Sequence, residues 1–278
     1  MQSKSLIKEP LAQRAGPLSK GIAAEGMARS RPQCELHIGT AGWAIPSRYA
    51  DDFPLTGTHL QRYATRLKAV EINSSFYRPH KRATYERWAD SVPDDFRFAV
   101  KVPRQITHEC ALLECTAALE RFAGEVAGLG ARLGVLLVQL PPSLAFEAHC
   151  AAAFFDDLRM RFEPHTGIAC EPRHRSWFTV QAEGLLEARQ VARVAADPPR
   201  SPGGCEPGAW RCLTYYRLHG APQIYYSNYG TETLEWLGRK LAASRLQAGA
   251  TWCIFDNTAA QAALGNALAV QRMTPHGV

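Results

Sequence analysis

Gly134-Val-Leu-Leu-Val-Gln-Leu140, bounded by Arg132 on one side and Pro141-Pro142 on the other, is the longest apolar run in the chain. It is far shorter than the roughly 20 residues a membrane span needs. It is also too uniformly apolar for a strand with one wet face, and so predicts a strand buried on both sides, as in a parallel sheet. Similar short runs recur on either side of it: 37–42, 69–73, 96–101, 167–171, 191–197, 214–219 and 251–256. Helical spacing of apolar residues fills most of the gaps, over 58–68, 84–91, 111–129, 147–162, 180–189, 231–247 and 258–271. Eight strands alternating with helices imply βαβ units and an α/β fold, a TIM-type (β/α)8 parallel barrel. The sixth unit is irregular, because Pro198-Pro-Arg-Ser-Pro-Gly-Gly-Cys-Glu-Pro207 is too rich in helix breakers for a full helix. A doubly wound open sheet is the alternative, but no G-x-G-x-x-G or G-x-x-x-x-G-K-[ST] follows any strand.

The 278 residues are 46% hydrophobic and 21% charged, which excludes general disorder. The formal charge of +6 is unevenly spread. Residues 1–33 hold six basic and two acidic side chains, leaving only +2 for the remainder. The segment 1–33 is expected to be a disordered basic tail, or sequence added by a start upstream of Met27, and 34–278 a single barrel domain. The tail lacks the apolar centre of a secretory signal. Eight cysteines without a C-x-x-C pair predict free thiols in a reducing compartment, hence a cytoplasmic protein. His108, Cys110 and Cys115 lack the spacing of a zinc site.

Residues two apart on a strand share a face. Counting back from the strand ends places Glu71 with Asn73, Ala99 with Lys101, Leu137 with Gln139, Glu171 with Arg173, Ala195 with Asp197, Arg217 with His219, and Ile254 with Asp256. In a parallel barrel these ends converge on one mouth, where such folds carry their active sites. Charges inside apolar strands cost several kcal/mol unless paired. Their recurrence therefore points to a binding site, against the plainer alternative of a structural polar layer. Glu71 and Glu171 are the expected acid/base carboxylates, with Lys101 and His219 as further catalytic groups. Arg173, Arg217 and Lys101 would orient an anion, with Asn73 and Gln139 as polar contacts. Asp256 would support them or join Glu71, Glu171, Asp197 and His219 at a divalent metal; no metal-binding spacing singles out that option, and no cofactor is assigned. Trp43, Phe76, Tyr77, Trp177, Phe178, Tyr225, Tyr226 and Tyr229 follow strand ends, where rings can stack on a ligand. The favoured partner is a small polar or anionic molecule, sugar-like or phosphorylated, turned over by a hydrolase, isomerase or lyase; no membrane is implied. A nucleic-acid partner would use Arg104, His108, Arg173, His174 and Arg175 with Trp177 and Tyr77, but the body's small net charge argues against it. A non-catalytic ligand-binding barrel is the third reading.

Ile38-Gly-Thr-Ala-Gly-Trp43, Val70-Glu-Ile-Asn-Ser-Ser-Phe-Tyr-Arg78, Phe96-Arg-Phe-Ala-Val-Lys-Val-Pro103 and Leu136-Leu-Val-Gln-Leu-Pro-Pro142 closely resemble the YecE-like family, domain of unknown function 72. So do Glu171-Pro-Arg-His-Arg-Ser-Trp-Phe178, Tyr216-Arg-Leu-His-Gly220, Tyr225-Tyr-Ser227 and Phe255-Asp-Asn-Thr258, the last bringing Asn257 onto the list of ligand contacts. The resemblance runs in order over roughly 36–270. It implies a TIM-barrel-like fold and leaves the reaction to be read from the residues. The Pro/Gly loop 198–210 departs from the family pattern beside Asp197.

Overall fold

The two faces of the 134–140 run are buried against different partners. Leu136 and Val138 join the apolar layer under the helices, while Val135 and Leu137 point into a second, inner cluster with Ala69, Ala99, Ala169, Leu213, Tyr215, Trp252 and Ile254. The inner cluster is the floor of a barrel. The structure is a computed structural model that describes residues 35–247 and 249–274; the expected tail 1–33 and Cys34 lie outside the described residues.

Ten strands build the wall: β1 (Glu35–Ala41), β2 (Ala69–Ile72), β3 (Arg97–Lys101), β4 (Leu133–Gln139), β5 (Gly167–Glu171), β6 (Val191–Arg193), β7 (Ala195–Asp197), β8 (Gly208–Ala209), β9 (Leu213–Leu218) and β10 (Ala250–Phe255). Their hydrogen-bonded order is β7-β9-β10-β1-β2-β3-β4-β5-β6-β8, parallel throughout except for β8 against β6. β6 and β7 are separated by Val194 alone. The first pairs with β5 and the second with β9, and the Val194 N–H still reaches the Cys170 carbonyl at 2.9 Å. One bent strand thus changes partner at Val194 and joins the two ends of the sheet. The wall has eight positions, the TIM-type arrangement.

Helices α1 (His59–Ala64), α2 (Arg82–Asp90), α3 (Thr116–Val126), α4 (Ala148–Met160) and α5 (Val180–Ala188) follow β1 to β5. α6 (Thr231–Ser244) and α7 (Ala263–Met273) follow β9 and β10. Local chemistry sets several starts: Thr58 and Gln61 form a reciprocal capping box on α1, and Glu147 and Thr179 accept backbone N–H groups at the heads of α4 and α5. α3 begins five residues later than its periodicity implies, because Ala111, Leu112 and Glu114 adopt left-handed backbone angles. α7 likewise begins at Ala263 rather than Thr258, after a turn with Gln261 at φ +61°.

No helix follows β7. The breaker-rich loop returns as β8, and the gap is tied by a buried Arg193 that pairs with Glu183 of α5 and donates to the Glu206 carbonyl at 3.1 Å. Glu183 also accepts the Ala209 N–H at 2.6 Å. The irregular sixth unit is therefore held by one ion pair where its neighbours use a helix.

The barrel floor is closed by Trp252, stacked on Tyr215 with ring centroids 6.0 Å apart and 9° between planes. Gly134 makes room for it, since a Cβ there would lie 2.6 Å from Trp252 Cζ2. Gly134→Val is expected to lower stability by about 1–3 kcal/mol through overpacking, read as a lower urea midpoint with unchanged far-UV dichroism. Unchanged stability would mean that Trp252 does not fill the floor.

Candidate functional site

Above that floor, side chains pointing inward from β2, β5, β9 and β10 form a buried ionic cluster centred on Arg217. Its guanidinium is fully buried. It grips Glu71 with two hydrogen bonds, Nη2 to Oε1 at 2.7 Å and Nε to Oε2 at 3.0 Å. Nη1 donates to Glu171 Oε2 at 3.1 Å, and Nη2 also lies 3.1 Å from Asp256 Oδ2. The Tyr215 hydroxyl donates to Glu71 Oε2 at 3.0 Å from the same inward face of β9, two residues before Arg217. Burial alone would disfavour the charge, yet the three carboxylates outweigh it and raise the Arg217 pKa well above its ordinary value.

His219 continues the inward row at the end of β9 and is clamped from both sides. Nδ1 lies 3.0 Å from Asp256 Oδ2, and Nε2 lies 3.1 Å from Glu171 Oε1. Burial pulls the imidazole pKa down, but Glu171 and Asp256 overcome it and raise it above its usual value. Glu171 is a shared hub. Besides Arg217 and His219 it accepts Arg173 Nε and Nη2 at 3.1 and 3.0 Å. Burial would raise its pKa, but His219, Arg217 and Arg173 together hold it well below the usual carboxylate range. Burial acts the same way on Asp256, and Arg217 and His219 again prevail to lower it. Glu171 is therefore held as a carboxylate, which suits it to orienting His219 rather than to donating a proton.

Lys101 is the exception in this cluster. It points inward from the end of β3 and is 4% exposed, yet its Nζ has neither a hydrogen bond nor an ion pair among the described residues. The ammonium sits 4.0 Å above the Phe76 ring centroid instead. Nor is Nζ one of the fully enclosed polar atoms, in contrast to Asn73 Oδ1 and Asn257 Oδ1, so it keeps a small accessible surface. Burial first, and the nearby Arg217 second, push its pKa down to about 8, against a weaker opposing pull from Glu71, Glu171 and Asp256. Gln139, at the end of β4, is also buried facing the mouth without a hydrogen-bond partner among the described residues.

The loop after β9 folds over His219. Gly220, at φ +91°, turns the chain where a Cβ would lie 2.8 Å from the Ser227 carbonyl oxygen. The Tyr225 N–H then donates back to the His219 carbonyl at 2.6 Å, and its ring meets the imidazole edge-on at 5.8 Å. The Tyr229 hydroxyl donates to Asp197 Oδ2 at 2.6 Å and accepts the Gly220 N–H at 2.8 Å, anchoring the loop.

The structure thus gathers Glu71, Lys101, Glu171, Arg173, Arg217, His219, Asp256 and Gln139 around one mouth. It places other sequence candidates elsewhere. Trp177 is 1% exposed and donates its indole N–H to the Leu144 carbonyl at 3.0 Å, so it holds loops together rather than lining the mouth. Asn257 is buried between the Ser227 carbonyl and Asn266, at 2.9 and 2.8 Å, and ties the β10 end to α7. Asp197 serves Tyr229 and stands apart from the ionic cluster. Tyr77 is 74% exposed on the rim. Trp43 packs edge-on against Trp88 at 5.1 Å and, with Asn73 and His59, lines a cavity of about 390 Å3 beside the mouth. Among the described residues no group of three or more His, Cys, Asp or Glu is arranged to hold a metal ion. Of the carboxylates named for a metal, Glu71, Glu171 and Asp256 turn oxygens to Arg217, His219 or Arg173, and Asp197 turns one to Tyr229. Tyr215 was not among the sequence candidates, although the alternation that placed Arg217 inward also places Tyr215 there; Phe76, one of the rings beyond the strand ends, lies against Lys101.

The model of the family "Protein of unknown function DUF72" matches residues 37–277. The chain belongs to the DUF72 family. It is 30% identical over 168 residues to UPF0759 protein YecE of Escherichia coli (strain K12), covering 58% of this chain and 59% of YecE. It is 25% identical over 201 residues to UPF0759 protein YunF of Bacillus subtilis (strain 168), covering 66% and 70%. The match therefore spans less than two thirds of YecE's length. Two crystal structures of DUF72 proteins share the fold. One, from Enterococcus faecalis V583, has a TM-score of 0.72 at 22% identity over 87% of this chain and 96% of that one. The other, from Thermotoga maritima MSB8, has a TM-score of 0.70 at 23% identity over 86% and 98%. Among the described residues of this DUF72 chain no helix is long and apolar enough to cross a membrane.

Removing the hub should be costly. Arg217→Met leaves three buried carboxylates facing one another and is expected to destabilise by about 3–5 kcal/mol, measured by urea unfolding. Lys101→Met should do the opposite. A lysine whose folded pKa lies below its ordinary 10.5 destabilises the fold whenever it is charged. The penalty is complete below about pH 8 and vanishes as pH rises to 10.5, so Lys101→Met should gain on the order of 1–3 kcal/mol at pH 7 and nothing at pH 10.5. An equal effect at both pH values would contradict the assignment.

Proposed function

We propose that this DUF72 protein is an enzyme performing acid–base chemistry on a small anionic substrate, with His219 as the proton-transfer group and Lys101 and Arg173 as the anion contacts. The observation that carries the reading is the unpartnered Lys101 ammonium beside a cluster whose three carboxylates are already engaged. With Lys101 and His219 both protonated, the four cationic groups exceed Glu71, Glu171 and Asp256 by one. The excess favours a ligand carrying negative charge, such as a carboxylate or a phosphorylated sugar-like compound. Glu171 and Asp256 fix the imidazole orientation and support its protonated form, the part a carboxylate plays beside a catalytic histidine. Glu71 and Asp256 hold Arg217, and Arg217 in turn holds Glu171 in place. Hydrolase, isomerase and lyase chemistry all use such a set of groups.

The rim supports a small molecule over nucleic acid. Arg104 is paired with Glu109 at 2.9 Å, Arg173 is turned inward to Glu171, and Trp177 is buried, which leaves Arg175 and Tyr77 as the exposed cation and ring of that set, few for a phosphate backbone. The seven described cysteines are free thiols, in keeping with a reducing compartment and a cytoplasmic location.

The test is a panel of sugar phosphates and small carboxylates screened for hydrolysis, isomerisation and cleavage. On any substrate turned over, His219→Gln and Glu171→Gln are expected to lower kcat by at least about a hundredfold, with thermal unfolding showing a folded protein. Variants that stay folded and retain full turnover would overturn the reading.

A further inference from the structure

We propose that Lys101 is a nucleophile that condenses with the carbonyl group of a small anionic aldehyde or ketone, which narrows the substrate class and rests on the anionic-substrate reading above. Three structural observations carry it. The Nζ is buried at the end of β3 with no direct hydrogen bond or ion pair to a carboxylate or carbonyl among the described residues, and it faces an aromatic ring. It is not fully enclosed and keeps a small accessible surface. Arg217 reaches in from β9, across the barrel from β3, and Arg173, which follows β5 and is the less deeply buried of the two, keeps part of its guanidinium exposed while it pairs with Glu171.

A lysine kept only to bind an anion gains from a high pKa and from polar surroundings that hold it charged. This one has the reverse setting, a desolvated amine beside another cation, which is how an amine is made available as a nucleophile at neutral pH. With a pKa of about 8, roughly a tenth of it is the free amine at pH 7, on the order of a hundredfold more than for an ordinary lysine. The chemistry balances without a cofactor. The Nζ lone pair forms a bond to the carbonyl carbon, the carbonyl oxygen takes up a proton, and the amine loses one, giving a carbinolamine. A second proton, supplied by water, lets the hydroxyl leave as water and the C–N bond become an iminium. Hydrolysis reverses these steps and restores the lysine.

The experiment is trapping with sodium cyanoborohydride at pH 7 on the full chain, using glyoxylate, pyruvate and glyceraldehyde 3-phosphate in turn, with uncharged acetaldehyde as the control. The adduct is located by peptide mass spectrometry. The sequence has seven lysines, and the expected result is labelling of Lys101 at least tenfold faster than of Lys68, Lys81 or Lys240 by an anionic carbonyl, with acetaldehyde showing a smaller preference. Lys101→Arg and Lys101→Met should abolish the fast adduct, and Lys101→Met, relieved of a buried charge, should remain folded. Labelling of Lys101 no faster than of the other lysines overturns the proposal, as does a substrate of the panel turned over equally well by Lys101→Arg; in the latter case the acid–base reading survives. Fast Lys101 labelling whose rate and pH profile are unmoved by His219→Gln and Glu171→Gln upholds the nucleophile and instead removes the acid–base roles assigned above.

Discussion

A guanidinium with no exposed surface, inside a barrel otherwise filled by Trp252, Tyr215 and aliphatic side chains, is the constraint from which the rest of this molecule follows. Burying Arg217 without partners would cost several kcal/mol, so β2, β5 and β10 must each deliver a carboxylate to it at the same height. Parallel register makes that geometry available: Arg217 lies opposite Ile254 of β10, two residues before Asp256, and Gln139 of β4 lies opposite Glu171. The barrel must therefore close in one register for the charges to meet, and the bend at Val194 closes it.

A cluster of this kind is a poor way to stabilise a fold, since well-packed apolar residues do as well or better. Its value lies in what it positions. Glu171 and Asp256 are fastened by Arg217 and so present fixed oxygens to both ring nitrogens of His219. Lys101 is left outside this pairing, and the fold bears the cost of a desolvated amine at the mouth. Placing the proton-transferring role on His219, instead of on the Glu71 and Glu171 pair that the sequence favours, and the ligand contact on Lys101 follows from the partners each group has. Against the pull of burial, Glu171 and Asp256 raise the imidazole above its usual pKa, whereas burial first of all lowers the amine to about 8.

Strand-level features were legible in the sequence because a strand's period of two is rigid. Counting back from Asp256, Arg217 and Glu171 assigns the inward face correctly, and the uniform apolarity of 134–140 announces a strand covered on both sides. The same arithmetic reaches Tyr215, whose hydroxyl looks like a core feature until its partner Glu71 is known. Legibility ends where the strands end. Trp177 and Asn257 lie in segments whose direction is set by turns and by distant partners, Leu144 and Asn266, so their proximity to strand ends says nothing about the mouth. Asp197 sits in a strand that changes partner, and its side chain follows the loop anchored by Tyr229. The late start of α3 depends on left-handed residues that carry no glycine signal.

The central claim is that Lys101 is an unpaired, desolvated amine in a mouth built to receive an anion. Its most direct test is a pH titration of the protein carrying lysine labelled with carbon-13 at the ε position, followed by NMR with and without inorganic phosphate. The account predicts one of the seven lysines titrating near pH 8, absent from the spectrum of Lys101→Arg, and moving upward when phosphate binds. All seven titrating near their ordinary value, unaffected by phosphate, would contradict it.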